Sequence, residues 1–326
     1  MERRAFLLTM TGSLLAVPPT AGAQPTTRTH RIGVLIAASK AFVTPYIQIF
    51  RQALRDLGYA EGRNIGIEYR YADGHYDRLP ALAADLVNLH VDLIVTEGTP
   101  PTRAAIQATT TIPVVMTVTG DPVAAGLVRD LARPGGNLTG ASFFLPELAT
   151  KRLQLLKEAI PGIARVAVVW NSRNAVHGPA VQDMETTAKA IGVEIRHINI
   201  QAPDDVADAL TVIAKGRDSL VILEDAMINV ASTQIADTAL KHRVPTIFGL
   251  SSFAEVGGLM AYGPNRVELW QRAAGFVDKI LRGAKPGDLP VEQSVRFDMV
   301  INLKTAKALG LTIPPSLLAR ADRLIE

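Results

Sequence analysis

The chain has 326 residues, 48% of them apolar and 20% charged, which describes a globular protein with core enough for two domains and excludes a disordered or fibrous one. Lys and Arg number 34 against 31 Asp and Glu, a formal charge of +3 with no basic block, so no nucleic-acid partner is expected. The absence of cysteine excludes disulfides, thiol nucleophiles, Cys-ligated metals and lipid anchoring through an N-terminal Cys.

In chain order, Arg3 and Arg4 form a positive start, Ala5–Val17 is an apolar stretch too short to span a bilayer, and Ala21-Gly22-Ala23 has the small-x-small cleavage pattern. Residues 1–23 therefore read as an export signal, and Arg3-Arg4-Ala5-Phe6-Leu7 resembles a twin-arginine one, with the general secretory (Sec) route as the alternative. The mature chain is expected in the periplasm, starting near Gln24. Ile32–Ala37 is the first strand, and the loop Ala38-Ser39-Lys40 leads to a helix from about Pro45 to Leu57, stopped by Gly58. A second strand, Ile65–Tyr71, precedes a helix near Arg78–Leu89.

Leu93–Thr96 and Pro113–Val118 are short apolar runs without alternation, which suits strands buried on both faces of a parallel sheet. Ala104, Ala105 and Ala108 mark the crossover helix between them, making a βαβ unit. After the turn Arg133-Pro134-Gly135-Gly136, Asn137–Phe143 is one more strand. A helix over Glu147–Ile160 then opens a second series, with strands at Arg165–Trp170, Val193–Ile200, Leu220–Leu223 and Pro245–Phe248. The spacing in both halves is that of βα units, which predicts an α/β protein of two Rossmann-like lobes with parallel sheets rather than one large sheet. Leu259–Tyr262 reads as a further strand, followed by a helix with Trp270, Ala273, Ala274, Val277 and Ile280 inward, ended by Gly283.

Several motifs carry a family resemblance. Gly120-Asp121-Pro122-Val123, Gly126-Leu127-Val128 and the run Leu131 to Gly140 stand in the first half. Gly257-Gly258-Leu259-Met260-Ala261-Tyr262-Gly263-Pro264, Leu289-Pro290-Val291-Glu292-Gln293 and Ile301-Asn302-Leu303-Lys304-Thr305-Ala306-Lys307 follow in the second. Together they resemble the signature of ABC-transporter substrate-binding proteins, the family that includes TrpX-type proteins. The resemblance implies the type I periplasmic-binding fold, with three chain crossings joining the lobes at a hinge, near Phe143, Ser251 and Val291. On that basis lobe 1 is expected to hold residues 31–142 and 250–288, and lobe 2 residues 143–249 and 289–326. Where this chain has Asp225-Ala226, related sequences often place Asp-Pro, so the identity of the ligand is not carried across.

The candidate chemistry lies in strand-end loops, the edge at which open α/β sheets bind ligands. The histidines show no ligand spacing, and no nucleophile elbow, Walker loop or dinucleotide fingerprint occurs, so no metal, cofactor or catalytic residue is expected. In lobe 1 the ligand candidates are Ser39, Glu97, Gly98, Thr99, Thr119 and Asp121. In lobe 2 they are Asn171, Asn174, Asp225 and Ser251, with Tyr262 as an aromatic wall. For Thr99 and Asp121 helix capping explains the residue as well or better, and Phe143 and Phe144 suit a core or hinge role better than a wall. Glu224 competes with Asp225 for the direction of the cleft, because successive strand residues point oppositely.

The expected function is a periplasmic solute-binding protein, not an enzyme, whose lobes close on a small molecule and present it to an inner-membrane ABC permease, working as a monomer. A zwitterion such as an amino acid would place its ammonium at Asp225 or Glu97 and its carboxylate at helix starts near Ser39, Thr99 and Thr119. The alternatives are a sensory module of the same fold, which no helix-turn-helix supports, and an exported α/β hydrolase, which lacks a nucleophile motif.

Overall fold

The computed structural model describes residues 29–216 and 218–326; the expected export signal lies outside them. The first series runs β1 (His30–Ile36), α1 (Lys40–Asp56), β2 (Ile65–Tyr71), α2 (Leu79–Asn88), β3 (Leu93–Glu97), α3 (Thr99–Ala108), β4 (Val114–Thr119) and β5 (Leu138–Ser142). The second runs α4 (Leu145–Ala159), β6 (Arg165–Trp170), α5 (His177–Ala190), β7 (Glu194–Asn199), α6 (Asp205–Lys215), β8 (Ser219–Ile222), α7 (Ala226–Val230), α8 (Ser232–Lys241), β9 (Thr246–Phe248), α9 (Ser251–Glu255) and β10 (Met260–Pro264). The rest is α10 (Arg266–Leu281), β11 (Glu292–Gln293), β12 (Phe297–Asn302), α11 (Leu303–Leu309), α12 (Pro315–Leu318) and β13 (Arg323–Ile325).

Two sheets result, ordered β2-β1-β3-β4-β5-β11 and β7-β6-β8-β9-β10-β12-β13. Every pairing is parallel except β10 with β12. Both lobes thus repeat one doubly wound order, in which the second strand flanks the first and the third starts the other wing. That order puts the switch point between β1 and β3 in one lobe and between β6 and β8 in the other, each opening a crevice at the carboxyl edge. The central strands are mostly apolar because helices cover both faces, and β3 and β4 are buried at every residue.

Helix α1 begins at Lys40, five residues before the expected start. Ser39 caps it, its Oγ accepting from Phe42 N at 3.4 Å, and Pro45 lies inside the helix. Its buried stripe is Val43, Ile47, Phe50 and Leu54, and Phe50 meets Trp270 of α10 edge to face at 5.7 Å between ring centroids.

The chain passes between the sheets three times: after β5, after β10, and between β11 and β12. The second passage differs from expectation. The strand at Leu259–Tyr262, placed with lobe 1 by the resemblance, pairs with β9 and β12 in the second sheet. Helix α9, only five residues long, returns the chain beside β9, and Leu259 N donates to Thr246 Oγ1 at 3.1 Å. The passage therefore falls at Asn265 and not at Ser251, and α10 is the part that packs on β4, β5 and α1 of lobe 1. Strand β11 then joins β5, and β12 leads back to lobe 2.

Candidate functional site

The carboxyl edges of the two sheets face each other across a cavity. Its walls are Ala37 from the β1 loop, Tyr76 beyond β2, Glu97 to Pro100 at the end of β3, Val118 and Gly120 at β4, and Phe143 and Leu145 at the first passage. Lobe 2 contributes Asn174 and Val176 after β6 and Glu224, Asp225, Ala226 and Asn229 after β8, while Arg266 enters from the start of α10. The space enclosed among these residues is about 40 Å³, room for a few water molecules with the lobes this close together.

Asp225 is the hub on the lobe 2 side. It is only 3% exposed. Its Oδ2 accepts from Tyr76 OH at 2.8 Å, Asn174 Nδ2 at 3.1 Å and Asn171 Nδ2 at 3.2 Å, and its Oδ1 caps α7 by accepting from Met227 N at 3.1 Å. All four donors are neutral. Among the described residues no cation forms an ion pair with it. Tyr76 belongs to lobe 1, so its hydroxyl ties the lobes together directly. Burial first, and then the charge of Asp225, hold the Tyr76 phenol well above its ordinary value, with Glu97 adding to the effect, so it stays a neutral donor.

His177 supports this loop from beneath. Asn171 N donates to its Nδ1 at 3.0 Å, and its Nε2 lies 3.0 Å from the Glu224 carbonyl. An acceptor at Nδ1 and a donor at Nε2 describe the neutral imidazole, and burial pushes its pKa below the usual 6.5.

Two buried ion pairs flank the hub. Glu224 takes both outer nitrogens of Arg152, which is fully buried and also donates Nε to the Tyr262 carbonyl at 2.7 Å. Glu97 pairs with Nη2 of Arg266, and both are buried. The Arg266 guanidinium lies 5.3 Å from the centroid of the Phe42 ring and 4.9 Å from that of Tyr46. Burying such pairs costs solvation that only good geometry repays, so they make a fixed, charged lining rather than a source of stability.

Of the expected residues, Glu97, Gly98, Thr99, Asn174 and Asp225 line the cavity, and Asn171 touches it through Asp225. Others stand elsewhere. Ser39 Oγ is spent on capping α1, and Asp121 caps its own turn, accepting from Val123 N and Ala124 N at 3.0 Å each. Thr119 is fully buried, its Oγ1 3.4 Å from Thr102 Oγ1. Ser251 opens α9 on the second lobe. Tyr262 faces a groove at the passages between lobes, with Phe144, Val295 and Phe297. Glu224 and Asp225 both line the cavity, but Glu224 is neutralised by Arg152.

Tyr76, Asn229 and Arg266 are polar lining residues that sequence reasoning missed. Arg266 carries one local sign, standing directly after the strand β10 and the capping Asn265. Tyr76 sits in a polar loop with no such mark.

Comparison with known proteins follows the same lines. Residues 31–325 match the family model described as ABC transporter substrate binding protein. The chain is 30% identical over 262 residues to a protein of Clostridioides difficile named Tyrosine-binding protein, covering 80% of this chain and 75% of that one. Among solved structures, an ABC domain from Streptococcus pneumonia in complex with L-Trp is 27% identical, with a TM-score of 0.85 over 91% of this chain and all of that one. A ligand-free, open substrate binding protein with adhesive properties from Clostridium difficile is also 27% identical, over 91% and 99% of the two chains, but its TM-score is 0.64. At equal identity, the present chain superposes better on the ligand-bound structure than on the open one.

Proposed function

The chain belongs to the family of ABC transporter substrate binding proteins, and from that premise we propose that it is the periplasmic receptor of an importer, closing its lobes on an aromatic amino acid and delivering it to an inner-membrane permease. The observation that carries this reading is Asp225. A carboxylate so deeply buried, facing the cavity and satisfied only by neutral donors, is the acceptor that an ammonium needs. The relatives support the ligand class, one being named for tyrosine and another holding L-Trp. Phe143 and Tyr76 supply aromatic faces to the cavity. A sugar would call for several side-chain amides around its hydroxyls. Asn174 and Asn229 are the amides of the lining, and Asn174 is committed to Asp225.

The test is calorimetry on the mature chain with L-tyrosine, L-tryptophan, the other amino acids and a set of sugars. An aromatic amino acid is expected to bind with micromolar or tighter affinity. Asp225→Asn, which keeps the shape and the cap of α7, should weaken binding by about tenfold or more, since a charge-assisted hydrogen bond contributes about 1.5–3 kcal/mol. Tight binding of a sugar, or equal affinity in Asp225→Asn, would overturn the reading.

A further inference from the structure

Arg266 opens the sixteen-residue helix α10, at the end where the backbone dipole disfavours a cation. Its position is nonetheless fixed from three sides. Phe42 and Tyr46, one turn apart on α1, lie against the guanidinium, and Glu97 holds Nη2. Phe42 also packs against the core cluster of lobe 2, so this cage is part of the closed cleft. Within it, Nε is buried without an acceptor. A buried N–H left unpaired is costly and asks for an explanation.

Most other candidate groups for an anion are committed, Thr99 at the start of α3 being the exception. Arg152 spends Nε, Nη1 and Nη2 on Tyr262 and Glu224. In α3 the first turn contains Pro100 and Pro101, which have no N–H to offer, and the Ser39 hydroxyl caps α1. Among the described residues, Arg266 is the cation that lines the cavity. It also shares the cavity with the proposed ammonium site, since Arg266, its partner Glu97, Tyr76 and Asp225 all line it.

We propose that Arg266 is the carboxylate-binding group of the cleft, taking the α-carboxylate of an amino acid whose ammonium goes to Asp225. The assignment rests on the amino-acid reading of the site. Glu97 is then the internal counter-ion that keeps Arg266 oriented before a ligand binds, and the Nε edge of the planar fork keeps a free donor for a second carboxylate once the lobes part to admit it.

The experiment compares an acid with its amide. Calorimetry is run with L-tyrosine and L-tyrosinamide, and with L-tryptophan and its amide, on the wild type, Arg266→Gln, Arg266→Lys and Glu97→Gln, with folding checked by circular dichroism. The wild type should prefer the acid by about tenfold or more. In Arg266→Gln that ratio should shrink to within about threefold, and Arg266→Lys, which keeps the charge without the fork, should fall between. Glu97→Gln keeps a side-chain oxygen to accept from Arg266 Nη2, and so its orientation, but removes the competing charge, so the ratio should hold or rise. It also carries the test should Arg266→Gln fail to fold. An unchanged ratio in folded Arg266→Gln, or a collapsed ratio in Glu97→Gln, overturns the assignment while leaving the amino-acid reading intact. If neither amino acid binds the wild type, the reading falls and the assignment with it.

Discussion

Gly120 stands at one of the close approaches of the two lobes. A methyl group built on it would lie 3.0 Å from Val176 Cγ2 and 3.5 Å from Leu145 Cβ, both of lobe 2. Its backbone does not require glycine, so a side chain here acts through space alone. Gly120→Leu is expected to hold the lobes apart, weakening ligand binding by about tenfold or more while leaving the ligand-free melting temperature within a few degrees of wild type, because overpacking strain of about 1–3 kcal/mol is avoided by opening. Calorimetry and thermal melts on one preparation separate the two effects, and unchanged affinity would show that closure does not depend on this contact. His177 gives a second expectation at this scale. Its folded pKa lies below the usual 6.5. Above that value neither state carries the proton. As pH falls below it, the unfolded chain takes up a proton that the folded one refuses, so stability drops by up to about 1.4 kcal/mol per pH unit until the folded value is reached. Melting temperatures from pH 7 to pH 5 should therefore decline, and His177→Gln should flatten that decline; an identical slope would remove His177 from the account.

Helix α10 is the element on which lobe 1 depends most, although it follows the whole central series of lobe 2 strands. It buries Leu269, Trp270, Ala273, Ala274, Phe276 and Val277 and packs on α1, β4 and β5. Trp270→Ala should destabilise the protein by about 3–5 kcal/mol, read by denaturant unfolding; a loss under about 1 kcal/mol would mean that lobe 1 closes its core without the helix. Much of this architecture was legible. The runs at β3, β4 and β6 are apolar because both faces are covered, and α10 shows its inward residues at helical spacing. What could not be read had local causes. Helix α9 is too short for a periodic signal, which is why β10 was expected in lobe 1, and Pro45 suggested a helix start that the Ser39 cap places earlier. At the site, Glu97 and Asp225 announced themselves as acids after buried strands. Their partners Arg266 and Tyr76 lie 169 and 149 residues away in sequence, and only the fold brings such pairs together.

Across the whole molecule, the protein's own contacts across the cleft are modest. The side-chain hydrogen bond from Tyr76 to Asp225 contributes about 1 kcal/mol net, and the approaches of Gly120 to Val176 and of Gly74 to Met227 add contact without ion pairs. A ligand held by Asp225 on one lobe and by lobe 1 on the other discriminates far more strongly between open and closed forms. Small-angle scattering should accordingly show compaction on saturation with the cognate amino acid. A radius of gyration unchanged at saturation would mean that the lobes form one rigid body.

The three passages between sheets also bear on how the chain acquires its shape as it is made. Lobe 1 gains α10 and β11 only once residues up to 293 have emerged, and the second sheet is completed by β12 and β13, which end at residue 325. Neither half is a self-sufficient stretch of chain. A growing polypeptide therefore keeps an unfilled apolar face, the one Trp270 later covers, through most of its synthesis, and both lobes mature together in the final tenth of the chain's length rather than one after the other.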